Sequence, residues 1–93
     1  MELLTDDQIT AELTESEGWA LEQGEITRTF ERRDFKDAML LVGAVAFLAE
    51  DAGHHPDIDI RWNKVTLTLS THSAGGLTAA DFALARRISA LSR

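Results

Sequence analysis

The feature that most constrains the fold of this chain of 93 residues is the uncharged segment 38–49. Asp34 has the position of a helix N-cap and Gly53 that of a C′ residue, so the pattern predicts a helix over 35–52. A helix on the surface of a globule needs one apolar stripe, but this one is apolar on nearly every side. A chain of 93 residues is too small to surround such a helix. We therefore expect a second protein surface to cover the helix, most simply another copy of the chain. The alternative interpretation is that the segment merely tolerates alanine.

The charge of the chain is unevenly distributed. Acidic side chains outnumber basic ones by 16 to 9, which gives a net charge of −7. Residues 1–22 contain seven of these acids and no base, so the remainder of the chain is neutral. This balance argues against nucleic acid or an anionic membrane as the main partner, because both bind basic surfaces. The chain has no cysteine, which excludes disulfides, thiolate chemistry and cysteine-ligated metals.

The sequence shows no signal for export or membrane insertion. The first residues lack the basic and apolar segments of a signal peptide. The uncharged segment 38–49 has 12 residues, whereas spanning a bilayer takes roughly 20. We therefore expect a cytoplasmic protein without a membrane partner.

Two further helices are predicted near the ends of the chain. Thr5 and Gln8 have the spacing of a capping box, which predicts a helix over 6–15. Thr78 has the position of an N-cap for a last helix over 79–91. The inner face of this last helix is expected to consist of four apolar side chains, Phe82, Ala85, Ile88 and Leu91.

Alternation of apolar and polar side chains predicts two β-hairpins, with strands over 19–22 and 25–32 and over 57–62 and 65–71. In the second hairpin Ile58, Ile60 and Trp62 are expected to face the core, with a turn at Asn63 and Lys64. The element order is then α-β-β-α-β-β-α. It predicts a single α+β domain over 1–93, a four-stranded antiparallel sheet with three helices on one face.

The three histidines are the first candidates for chemistry, because histidine exchanges protons near neutral pH. His54 and His55 lead into the third strand, and His72 follows the fourth. In an antiparallel hairpin the start of one strand lies beside the end of the other. We therefore expect segments 54–56 and 71–73 to meet.

Structural interpretations of these residues remain open. Histidines at loop ends are often simply solvated, Asp81 has the spacing of a capping partner for Thr78, and Glu50 could form a surface salt bridge. Three histidines and a carboxylate could also hold zinc with an open position. Adjacent residues in an extended segment point to opposite sides, however, so His54 and His55 are poorly placed to bind one ion. We expect neither a metal nor a cofactor.

The histidines are part of a spaced motif, Glu50-x3-His54-His55-Pro56-x5-Trp62-x9-His72-x8-Asp81. This motif, together with the stretch 62–72 and Gly76-Leu77-Thr78, resembles the signature of the pterin-4a-carbinolamine dehydratases. The resemblance covers essentially the whole chain, because members of that family are small single domains with the same element order.

The resemblance implies a dehydration that needs no cofactor. Aromatic amino acid hydroxylases leave their tetrahydropterin as a carbinolamine hydroxylated at C4a. The family's enzyme, 4a-hydroxytetrahydrobiopterin dehydratase, removes water from 4a-hydroxytetrahydropterin to give quinonoid dihydropterin, which is then recycled. The leaving hydroxyl needs a proton donor and ring atom N5 needs a proton acceptor, and two histidines can serve both needs.

The resemblance also implies roles for individual residues. His54 and His72 are the acid–base candidates, and which of them is the acid stays open. His55 is expected at the ring, either to bind it or to transfer a proton. Asp81 is expected to orient a histidine, and Glu50 to support the site without contacting the substrate. The remaining expected pterin contacts are Gly53, Ser70, Thr71 and Ser73.

The family resemblance implies homodimers or dimers of dimers, which agrees with the apolar helix over 35–52. It also implies a link to an aromatic amino acid hydroxylase pathway. The competing hypothesis is a non-catalytic or moonlighting partner of other proteins that keeps the dehydratase-like fold. The complete set of three histidines favours the enzyme.

Overall fold

The computed structural model describes residues 2–91. Within them the elements follow the order predicted from the sequence, which confirms the α+β class. They are α1 (Asp6–Thr14), β1 (Ala20–Glu22), β2 (Glu25–Glu31), α2 (Phe35–Ala52), β3 (Asp57–Arg61), β4 (Lys64–Leu69) and α3 (Ala79–Leu91), with a 3₁₀ turn at His72–Ala74 between β4 and α3.

Local capping sets the ends of α1 and α2. The Gln8 N–H donates to Thr5 Oγ1 over 3.1 Å and the Thr5 N–H donates to Gln8 Oε1 over 2.8 Å, so the predicted capping box is present. The Asp34 side chain accepts from the Asp37 N–H over 2.8 Å. Gly53 ends α2 in the left-handed conformation with φ of 63°. Helix α2 therefore begins and ends where the sequence predicts.

The four strands form one antiparallel sheet in the order β1-β2-β4-β3. The two hairpins are joined by pairing of β2 with β4, in which Ile26 lies opposite Leu69 and Phe30 opposite Val65. These four side chains are buried and define the inner face of the sheet. The opposite face carries threonines that bond across strands, such as Thr29 Oγ1 with Thr66 Oγ1 at 2.8 Å.

Helix α2 buries only one of its sides within the chain. The buried stripe consists of Ala38, Leu41, Val45 and Ala49, whose spacing of three and four residues follows the helical repeat. On the other side, Leu40 is 65% exposed and Phe47 is 73% exposed. One chain thus leaves a large apolar surface of α2 uncovered. No helix within residues 2–91 combines the length and the hydropathy that crossing a membrane requires.

The second hairpin turns one residue earlier than predicted, and the expectation that Trp62 lies in the core is wrong. Trp62 is 67% exposed and has φ of 54°, a strained value for a bulky residue. The cause is its neighbour Asn63, which is buried. Asn63 Nδ2 donates to the Arg32 carbonyl over 2.9 Å, and the Arg32 N–H donates to the Asn63 carbonyl over 2.7 Å. These two bonds hold Asn63 inward, so Trp62 occupies the outer position of the turn.

Helix α3 also departs from the prediction at one position. Phe82, Ala85 and Ile88 are buried as expected, but Leu91 is 38% exposed and Leu84 is buried instead. A spacing of three residues advances by about 300° on an α-helix, so Leu91 lies about 180° from Phe82. The buried face of α3 therefore drifts away from a strict three-residue pattern.

Candidate active site

His54 is held by a buried carboxylate from the first turn of α3. His54 Nε2 lies 2.6 Å from Asp81 Oδ1, and the Asp81 side chain has no exposed surface. The backbone of His54 is fixed as well, because its N–H donates to the Ala49 carbonyl over 3.1 Å at the end of α2. The C-terminal turn of α2 and the N-terminal turn of α3 thus position one imidazole between them.

Asp81 acts both as a helix cap and as a partner of histidine. Its Oδ2 accepts from the Thr78 N–H over 2.9 Å and from Thr71 Oγ1 over 2.9 Å. The Asp81 carboxylate is an acceptor, so it also accepts a hydrogen bond from His54 Nε2. The ring proton of His54 therefore lies on Nε2. Nδ1 is then the ring nitrogen of His54 that Asp81 does not occupy. Thr78 was expected only as a cap, and the same capping bond connects it to the site through Asp81.

His55 pairs with a different carboxylate, in a more open position. His55 Nε2 lies 2.5 Å from Glu50 Oε2, and the two side chains are 62% and 79% exposed. The adjacent histidines His54 and His55 therefore face separate partners, as expected in an extended segment before Pro56. Across residues 2–91, no group of three or more histidine, cysteine, aspartate or glutamate side chains is arranged to hold a metal ion.

His72 enters the site from the other side, at the first position of the 3₁₀ turn. The turn is closed by backbone bonds from the Ala74 and Gly75 N–H groups to the Thr71 carbonyl, each 3.0 Å long. Gly75 has φ of 81°, which a residue with a side chain rarely adopts. The His72 side chain is exposed.

The predicted meeting of segments 54–56 and 71–73 takes place, because Asp57 pairs with Thr68 and the residues before Asp57 and after Leu69 line the same cleft. Between them is a cleft of about 240 Å³, named here the histidine cleft. It is lined by all seven residues for which the family resemblance implied pterin contact, namely Gly53, His54, His55, Ser70, Thr71, His72 and Ser73.

Sequence reasoning missed a second group of residues beside this cleft. Ser70 Oγ donates to Glu25 Oε2 over 2.9 Å, which connects β4 to the start of β2. The pairing of β2 with β4 causes this contact, since the register that places Ile26 opposite Leu69 brings Glu25 next to Ser70. The pairing of two separate hairpins has no local sequence signal.

The family model described as "Pterin 4 alpha carbinolamine dehydratase" matches residues 2–91. A protein of Nocardia farcinica named "Putative pterin-4-alpha-carbinolamine dehydratase" is 55% identical over 92 residues, which covers 99% of this chain and 97% of the relative. A protein of the same name from Roseiflexus castenholzii is 57% identical over 86 residues and covers 92% of each chain.

Solved structures show the same architecture. A transcriptional coactivator/pterin dehydratase from Brucella melitensis superposes with a TM-score of 0.95 at 33% identity, covering 99% of this chain and 100% of the other. A pterin dehydratase-like protein identified as a RuBisCO assembly factor in the alpha-carboxysome gives a TM-score of 0.65 at 25% identity, covering 80% and 86% of the two chains. The fold is thus shared with proteins described as a dehydratase and as an assembly factor.

Proposed function

The chain belongs to the pterin 4 alpha carbinolamine dehydratase family, and from that premise we propose that it removes water from a 4a-hydroxytetrahydropterin by histidine acid–base catalysis. The observation that carries this proposal is the histidine cleft, in which His54, His55 and His72 line one cavity. Acid–base dehydration uses these groups and requires no redox change.

The reaction requires two proton transfers at neighbouring ring atoms. The C4a–O bond breaks and the hydroxyl leaves as water, so it takes a proton from an acid. The N5–H bond breaks and its electron pair forms the C4a=N5 double bond of quinonoid dihydropterin, while the proton goes to a base. A positioned proton donor or acceptor contributes typically 10²–10⁴-fold to such a step.

The geometry supports distinct roles for the residues of the cleft. His54 exchanges a proton through Nδ1, because Asp81 occupies Nε2 at 2.6 Å. His72 is the second proton-exchanging group, reaching the cleft from the opposite wall. His55, held by Glu50, contacts the ring from the open side. The other lining residues, Gly53, Ser70, Thr71 and Ser73, bind the pterin through backbone groups and hydroxyls.

The test is absorbance-monitored dehydration of freshly generated 4a-hydroxytetrahydrobiopterin, the substrate that we expect in a tetrahydropterin recycling reaction linked to an aromatic amino acid hydroxylase. We expect the purified protein to accelerate formation of the quinonoid product over the spontaneous reaction. An unchanged rate at micromolar protein would refute the dehydratase proposal.

We also infer that the chain assembles into a homodimer or homotetramer through α2. The exposed side of this helix carries Phe35, Met39, Leu40 and Phe47, each at least 40% exposed in the single chain. Contiguous apolar surface of this kind marks an interaction site, and a second copy offers the same surface through a two-fold axis. Sedimentation is expected to give a dimer or tetramer, and a monomer at micromolar concentration would contradict the inference.

An assembly or binding role is the second candidate function. The observation that favours it is the similarity to a structure described as a RuBisCO assembly factor, together with the exposed apolar side of α2. The dehydration assay discriminates the two candidates, since a chain that acts only as a binding partner does not accelerate the reaction. Either activity is compatible with the cytoplasmic location that the sequence predicts.

A further inference from the structure

A single residue, Thr71, connects the two sides of the histidine cleft. It directly precedes the 3₁₀ turn that begins at His72, and only 6% of its surface is exposed. Its carbonyl accepts from the Ala74 and Gly75 N–H groups that close this turn. Its own N–H donates to the Gly76 carbonyl over 2.9 Å, and the two residues form an isolated β-bridge. The backbone of Thr71 therefore fixes the segment that carries His72.

The side chain of Thr71 reaches the carboxylate that holds His54. Thr71 Oγ1 lies 2.9 Å from Asp81 Oδ2 and 2.8 Å from Thr78 Oγ1. An ionised carboxylate only accepts, so Thr71 gives its one hydroxyl proton to Asp81 and accepts from Thr78. This arrangement leaves no hydroxyl proton of Thr71 for a ligand. The hydroxyl therefore acts on His54 through Asp81, whose other carboxylate oxygen lies 2.6 Å from His54 Nε2.

We propose that Thr71 is a positioning residue that sets the separation of His54 and His72. Its hydroxyl holds His54 through Asp81, and its backbone holds the turn of His72. A continuous series of hydrogen bonds thus joins two histidines that are remote in the chain. This inference rests on the proposed function, because it takes both histidines as proton-exchanging groups.

The proposed reaction makes the separation of the two histidines critical. The acid serves the oxygen on C4a and the base serves N5, and these two ring atoms are bonded to each other. Both imidazoles must therefore address neighbouring atoms of one ligand, and a misplacement of about 1 Å can cost about 100-fold in rate. His54 follows α2 and His72 follows β4, so no helix or strand holds both. The buried bonds of Thr71 supply the connection.

Thr71→Val tests the hydroxyl, because valine keeps the branched shape and the backbone bonds but cannot donate. We expect kcat to fall about tenfold, the effect of losing one hydrogen bond to a charged group, with KM nearly unaltered. Thr71→Ser keeps the hydroxyl and is expected to retain most of the wild-type kcat. The matched control is Thr66→Val, the same change on the outer face of β4, where it removes a bond to Thr29. The control should leave both constants unaltered.

Rescue by serine separates positioning from packing. Equal losses in Thr71→Val and Thr71→Ser would show that the methyl group matters and not the hydroxyl. Wild-type kcat in Thr71→Val would show that neither matters, and either result would overturn the proposal. If circular dichroism shows that valine prevents folding, Thr71→Ala removes the same hydroxyl without placing a methyl group against Asp81. It is expected to show the same loss of kcat.

Double variants test the connection to each histidine. Once His54 or His72 is replaced by alanine, the separation of the two imidazoles no longer affects the rate. Thr71→Val is therefore expected to cost much less than tenfold in the His54→Ala and His72→Ala backgrounds, because residues that act as one unit are not additive. A full tenfold loss in either background would contradict the connection.

A measurement without substrate separates this proposal from the dehydratase proposal. The ¹⁵N NMR signals of a histidine ring report which nitrogen carries the proton. We expect Thr71→Val to shift the ring signals of His54, because its partner Asp81 loses a bond. The ring signals of His55, whose partner is Glu50, should stay in place. Unchanged His54 signals would reject the role of Thr71, whatever the outcome of the activity assay.

Discussion

At the scale of single residues, the two carboxylates beside the histidines differ in burial, and burial decides what each contributes. Asp81 has no exposed surface and is fixed by Thr71 and Thr78, whereas the Glu50 side chain is 79% exposed. Exposed ion pairs contribute about 0–1 kcal/mol, because water screens the charges. Removing an acceptor from a buried network costs about 1–3 kcal/mol and disturbs every group that it held.

This contrast gives a prediction for matched substitutions. Asp81→Asn is expected to lower kcat about 100-fold with a smaller effect on KM, because an amide facing His54 reverses the position of its ring proton. Glu50→Gln is expected to lower kcat/KM at most about fivefold, since its pair with His55 is exposed. The pH–rate profile distinguishes orientation from a structural role, because it should change in Asp81→Asn only. Equal losses in both variants would contradict the assignment.

The histidines themselves give a second prediction. His54→Ala and His72→Ala are each expected to reduce turnover roughly 100-fold or more, because each removes one positioned proton transfer. Circular dichroism should show an intact fold. Asp59→Ala, which removes an exposed ion pair with Arg61 on β3, is the control and should retain activity. Near-normal turnover in both histidine variants would exclude them from acid–base catalysis.

At the scale of elements, the start of α2 is held by a cluster of charges remote in sequence from the histidines. Asp37 Oδ2 accepts from the Arg33 N–H over 3.0 Å and from Arg32 Nε over 3.2 Å. The bond from the Arg33 N–H, followed by the Arg32 side chain, lowers the pKa of Asp37 below its usual value of 3.8, although partial burial acts in the opposite direction. The ionised form of Asp37 therefore stabilises the fold.

This lowered pKa predicts a pH dependence of stability. A carboxyl with a lower pKa in the folded state contributes fully above its unfolded pKa and loses its contribution as the pH falls through the folded value. Asp37→Asn is therefore expected to unfold at lower urea concentration than wild type at pH 7. The difference should shrink as the pH falls below 3.8.

Asp59→Asn serves as the matched control for this experiment, because its pair with Arg61 is exposed and contributes little. A difference between wild type and Asp37→Asn that stays constant from about pH 7 to about pH 2 would contradict the role of Asp37 charge.

At the scale of the whole molecule, the main feature is the apolar side of α2, which the single chain leaves exposed to solvent. Leu40 and Phe47 expose 65% and 73% of their surface in the single chain. Fully burying side chains of this size stabilises a structure by about 1.5–3 kcal/mol each. Gly43, three residues after Leu40 and four before Phe47, lies on the same side of the helix, where the absence of a side chain lets a second helix approach closely.

Substitutions on this surface are expected to dissociate the assembly. Leu40→Glu and Phe47→Glu should each shift the sedimentation coefficient towards that of a monomer, because both introduce a charge into the surface proposed to bind a second copy. Ala83→Glu adds the same charge at an exposed position of α3 and should leave the assembly intact. Unchanged sedimentation in both α2 variants would place the interface elsewhere.

Some features of this protein were determined by the sequence alone, because they depend on local contacts. The ends of α2 follow from Asp34 and Gly53, which act through the neighbouring backbone. The meeting of His54 with His72 follows from a single hairpin, whose strands are adjacent in the chain. The spacing of Asp81 after Thr78 likewise predicted a cap. Interactions across a few residues are visible as patterns, so these predictions agree with the structure.

Other features were decided only by the tertiary structure, because they depend on which distant segments pack together. The strand order β1-β2-β4-β3 brings Glu25 beside Ser70. Bonds between Asn63 and Arg32 turn Trp62 outward, against its apolar character. The packing of α3 against α2 gives Asp81 its contact with His54. A hydrophobic pattern specifies that a side chain is buried, but it does not specify which side chains surround it, because burial is non-directional. The choice among distant polar partners depends on the assembled fold.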